Sequence, residues 1–103
     1  MPLYPIPPMS ADWISACTKV ETVASREAIE VEAHYFDVDP KTGLPFATVV
    51  LVATINTERN GEPVLAYGTY AVAGALWARM KWGRSSWITK AVKSAEEVLE
   101  QDK

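Results

Sequence analysis

Cysteine and histidine each occur once in the 103 residues, as Cys17 and His34. A single thiol has no partner for an intrachain disulfide, and no multi-cysteine zinc site can be assembled from it. One imidazole leaves a histidine-based metal site equally short of ligands, so no metal or cofactor is expected. Glycine is scarce, and its five occurrences form neither a phosphate loop nor a dinucleotide fingerprint. No uncharged stretch exceeds the 16 residues of Pro63–Ala78, which Gly68, Thr69 and Gly74 interrupt. About 18–20 apolar residues are needed to cross a bilayer, so no membrane span and no membrane partner are expected. The opening residues carry no basic region and no apolar run of signal-peptide length. With an unpaired thiol that suits a reducing compartment, a cytoplasmic protein is expected.

What is present suits one small globular domain. Hydrophobic residues make up 49% and charged residues 22%, too much apolar surface for a disordered chain and too few residues for two domains. Residues 1–9 hold four prolines, which favour an extended arm over a helix. Leu3, Tyr4 and Ile6 are its apolar contacts, expected to dock on the same chain or a neighbour. Residues 10–103 form the single domain.

Ser10 can cap a helix, and Trp13, Ile14, Cys17, Val20 and Ala24 recur at helical spacing. That pattern predicts a helix over 11–24, with Cys17 an inert thiol in its stripe, although Thr18, Val20, Thr22 and Val23 are β-branched and suit a strand. From Glu27 the period becomes two, with Ile29, Val31, Ala33 and Tyr35 alternating with Glu30, Glu32 and His34, so His34 is expected on a wet face. Asp37 to Gly43 reads as a turn, and Phe46 to Thr57 as a central strand buried on both sides. Asn60-Gly61 is a two-residue hairpin turn that sets Thr57 opposite Val64, Ile55 opposite Ala66 and Leu51 opposite Tyr70. Gly68 and Gly74 are candidate bulges or bends, with either a bent fourth strand or a short helix following over 71–82. Ser85 or Ser86 caps a last helix whose stripe is Ile88, Ala91, Val92, Ala95, Val98 and Leu99. The fold class is therefore α+β: a helix, a three- to four-stranded antiparallel meander and a C-terminal helix, with the helices on one sheet face.

Charge is distributed unevenly. Residues 1–62 carry a net −5, residues 63–95 a net +5 with no acid at all, and residues 96–103 a net −3. Three of the four tryptophans lie in the acid-free segment. The expected partner-binding residues are Trp77, Arg79, Lys81, Trp82, Arg84, Trp87 and Lys90, since indoles supply rigid area and guanidinium groups supply directed bonds at binding hot spots. The structural alternative makes the same indoles core volume and the lysines a solvated helix face.

Gly83-Arg84-Ser85 through Lys90, at the start of the last helix, resembles the corresponding fragment of double-stranded-RNA-binding domains. In that family, lysines there straddle groove phosphates. Here Ser86 and Trp87 occupy two of those places and Lys90 alone remains, so the resemblance implies only an alternative partner, nucleic acid, for the same face. The acidic whole, with a pI near 5.1, speaks against that alternative.

Catalytic signatures are weak. Asp37-Val38-Asp39 lacks the later ligands of a calcium loop, where Lys41, Thr42 and Thr48 stand instead. Lys41-Thr42-Gly43 matches one penicillin-binding signature without any Ser-x-x-Lys to accompany it. A small enzyme or ligand-binding domain would need a pocket near His34 and Asp37. The reading favoured by the sequence is a non-enzymatic protein-binding module (inhibitor, adaptor or self-assembling component) whose partner is an acidic protein surface or a second copy, giving a homo-oligomer.

Overall fold

The computed structural model describes residues 15–39, 44–45 and 47–101. The expectations for the arm at 1–9, with Leu3, Tyr4 and Ile6, for the helix start at 11–14 and for Phe46 lie outside the described residues. Within them the chain builds β1 (Cys17–Arg26), β2 (Ile29–Phe36), β3 (Thr48–Arg59), β4 (Glu62–Ala73), a short helix α1 (Gly74–Arg79) and a long helix α2 (Arg84–Gln101). The strands form one antiparallel sheet in the order β1-β2-β3-β4. An open four-stranded sheet with two helices is an α+β fold.

The expected helix over 11–24 is corrected from residue 17 onward, where the chain is β1. Four β-branched residues within 18–23 resist helix, and β2 offers a ladder from Cys17↔Phe36 to Arg26↔Ile29. That ladder slips twice, at Cys17/Lys19 and Thr22/Ala24. The slips break the simple alternation that would have marked a strand in the sequence. Glu27 and Ala28 close the β1–β2 hairpin, with Ala28 at φ 65°.

The β3–β4 hairpin turns on Asn60 at φ 55° and Gly61 at φ 80°, both positive as a type I′ turn requires. Its register runs unbroken from Arg59↔Glu62 through Leu51↔Tyr70 to Thr48↔Ala73. Gly68 is therefore no bulge. It lies where α2 crosses the sheet: a Cβ there would come within 2.2 Å of the Ala95 nitrogen and 2.5 Å of the Ala91 carbonyl oxygen. A glycine facing two alanines lets the helix backbone settle directly on the strand. After Gly74 the chain is the short helix, and the bent-strand alternative does not hold.

One sheet face carries the main core. Val31, Ala33, Leu51, Ala53, Val64 and Ala66 pack there with Trp77 of α1 and with Ala91 and Ala95 of α2. The partly buried Ile88, Val92, Val98 and Leu99 complete the stripe read from the sequence. Arg59 donates to the Leu99 carbonyl at 3.0 Å, satisfying an orphan acceptor near the helix end. On the opposite face Phe36, Val50 and Val52 are buried, with Ala16, Cys17 and Tyr67 packed against them. His34 belongs to that face and is 6% exposed, which corrects the expectation of a wet imidazole. The central strand next to it is buried on both sides, so alternation on β2 places His34 over apolar neighbours rather than water. Among the described residues no helix is long and apolar enough to cross a membrane.

Candidate partner-binding surface around Trp82

Trp77 sits on α1 and points into the core, with 1% of its surface exposed. Burying an indole requires a partner for its N–H. Nε1 donates to the Tyr35 hydroxyl at 2.9 Å, and that hydroxyl in turn donates to the Glu21 carboxylate. Lys19 closes the chain, 3.3 Å from the other Glu21 oxygen. The Tyr35 bond holds the Glu21 carboxyl below the usual carboxylate range, with smaller help from Lys19 and Arg84. Tyr35 moves the other way. Burial pushes its hydroxyl up first, and the bond to Glu21 adds to it.

Arg84, the first residue of α2, lies over the Trp77 ring with its guanidinium carbon 4.3 Å from a ring centroid. Its Nε and Nη2 both donate to the Trp77 carbonyl, at 3.0 and 2.7 Å. Trp87 packs on the same ring, 5.9 Å away and tilted by 33°. These contacts clamp α1 between the sheet and α2. Trp77, Arg84 and Trp87 thus form a structural unit, and Trp77 has no ring surface left to offer a partner.

The turn between the two helices is different. Trp82 is 97% exposed, and Met80, two residues before it, is 43% exposed. Arg79 and Lys81 are exposed on either side. Lys90 stands apart over the Tyr70 ring of β4, with Nζ 5.1 Å from the ring centroid and 3.3 Å from the Tyr70 hydroxyl. Of the seven residues singled out in the sequence, the structure keeps Arg79, Lys81 and Trp82 together in the open. It folds Trp77, Trp87 and Arg84 inward and sends Lys90 to the β4 side of α2.

Two grooves flank these elements. One, of about 460 Å³, lies at the sheet end beneath α1 and is lined by Lys19, Tyr35, Asp37, Trp77 and Arg84 among others. Asp37 borders it, whereas alternation along β2 sends His34 to the other sheet face. His34 Nε2 lies 3.5 Å from Glu32. The second groove, of about 500 Å³, runs between β1–β2 and α2, with Ala24, Ile29, Val31, Ile88 and Val92 as its apolar lining. Among the described residues no group of three or more histidine, cysteine or acidic side chains is placed to hold a metal.

Sequence reasoning missed the Glu21–Tyr35–Trp77 chain, because Glu21 was assigned to a helix. The one hint was the β-branched run around it. Compared with family models, with curated proteins and with solved structures, the chain matches none.

Proposed function

We propose that the chain is a non-enzymatic protein-binding module whose anchor is Trp82, with Met80 widening the apolar contact and Arg79 and Lys81 supplying charge. The observation that carries this reading is the 97% exposure of Trp82 inside a stretch free of acids. A whole indole left in water is an uncommon use of the residue with the largest apolar area, and such rings are enriched at the centres of interfaces. Two flanking cations with no acid nearby in sequence suit an acidic partner surface, for encounter rate and for orientation. Arg84 and Trp77 contribute by fixing the base of the turn, so the anchor is presented on a braced support.

Nucleic acid is the competing occupant, since an exposed indole can also stack on a base. Salt separates the two. Phosphate neutralisation weakens steeply between low and moderate salt, whereas an indole-anchored protein contact loses far less. Titrating single-stranded and duplex oligonucleotides at two salt concentrations is the test. Absence of binding at low salt supports the protein-binding reading, and tight, steeply salt-dependent binding lost with Trp82→Ala overturns it.

A further inference from the structure

The two ends of the molecule differ in charge, and acids predominate at one of them. β4 leads directly into α1, so the Trp82 turn lies at one end of the sheet and the Asn60-Gly61 hairpin at the other, 12 residues of extended chain away, roughly 35 Å. α2 runs back along the sheet, and the Arg59–Leu99 bond shows that it finishes at the hairpin end. That end therefore gathers the exposed Glu58, Glu62, Glu97 and Glu100, and the β1–β2 turn with exposed Glu27 is beside it, because Ile29 pairs with Ile55. Among the described residues Arg26 and Arg59 are the cations there, and Arg59 donates to the Leu99 carbonyl. The far end presents Arg79 and Lys81 around Trp82, while the exposed Asp37 at the end of β2 lies at the same end of the sheet, bordering the groove beneath α1. A separation of several Debye lengths keeps the poles from neutralising each other within one molecule.

The groove between β1–β2 and α2 opens near the acidic pole. Its volume of about 500 Å³ exceeds an indole, its floor is Ile29, Val31, Ile88 and Val92, and Glu96 stands at its side. Arg26 and Lys93 also line it, and the face of an indole is a ring surface that a cation accepts.

The geometry points to a second copy of this chain as the partner: Trp82 of one molecule seats in the β1–β2/α2 groove of the next, with Arg79 and Lys81 meeting the acidic pole. This rests on Trp82 being a binding anchor, and adds the identity of what it binds. The knob and the socket are different surfaces, so the contact is heterologous and does not stop at two copies. Charge complementarity steers it, so association strengthens as salt is lowered.

Sedimentation velocity on the full chain across a wide concentration range tests it. The unmodified chain is expected to grow past the dimer, while Trp82→Ala (knob removed) and Ser25→Trp (an exposed position lining the groove, socket filled) each stay monomeric with cooperative melting. Mixed in equal amounts, the two variants are expected to form a dimer and stop, because one intact knob faces one intact socket. Thr89→Tyr fills the groove from the helix side and is expected to behave as Ser25→Trp does. An unmodified chain that remains monomeric or stops at a dimer, a Trp82→Ala chain that associates as well as its parent, or a mixture that gives no dimer overturns the proposal. A monomeric parent would remove the second copy as partner without touching the case for Trp82 as an anchor, which binding of an acidic peptide decides separately.

Discussion

At the scale of single residues, Tyr35 links the most groups. It receives the Trp77 N–H and gives its own proton to Glu21. Because the Glu21 carboxyl is held low, its contribution is present above the ordinary glutamate range and fades as pH falls below about 4. Because the Tyr35 hydroxyl is pushed up, its contribution is whole below about pH 10 and is lost as pH rises past it. Thermal melts of Tyr35→Phe and its parent should therefore differ most between those limits and narrow beyond either, with the lost Trp77 bond leaving a residual difference at low pH; a constant difference across pH would contradict the linkage. The two glycines of the β3–β4 hairpin separate conformation from space. Gly61→Ala faces an open surface at φ 80° and should cost about 1 kcal/mol through backbone strain alone. Gly68→Ala drives a methyl into the α2 backbone and should cost more, about 3 kcal/mol or greater, or unseat the helix. Equal melting temperatures for the two variants would refute the close helix–strand contact.

Among the elements, legibility followed how local the determinants were. The β3–β4 hairpin was readable to the residue pair, since Asn60-Gly61 carries its own dihedral demand and alternation does the rest. The α2 stripe was equally plain from Ile88 to Leu99. β1 was not, because its two register slips disguise a strand as a helical pattern, and its identity comes from pairing with β2. The proposed binding surface is visible in the sequence as a segment, but which of its side chains are exposed is not. Its boundaries depend on which indole α1 turns inward, and that is decided by the Tyr35 hydroxyl 42 positions away. Trp77 is what fastens α1 to the sheet. Trp77→Ala should cost about 3–5 kcal/mol in chemical denaturation, in line with removal of a buried aromatic. Trp82→Ala should change stability by no more than about 0.5 kcal/mol, as for an exposed position without tertiary contacts. Similar losses from both would mean that the turn is packed rather than displayed.

For the whole molecule, the sheet sets the Trp82 indole and two cations at one end and exposed glutamates beside an apolar groove at the other. The central claim is that Trp82 is the contact point, and its indole N–H resonance in the full chain, assigned through Trp82→Phe, reports on it directly. Titration with an acidic amphipathic peptide of alternating glutamate and leucine should shift that resonance while leaving the Trp77 and Trp87 indoles in place. A Trp82 signal that stays fixed at saturating peptide, or moves only together with the two packed indoles, would contradict the account.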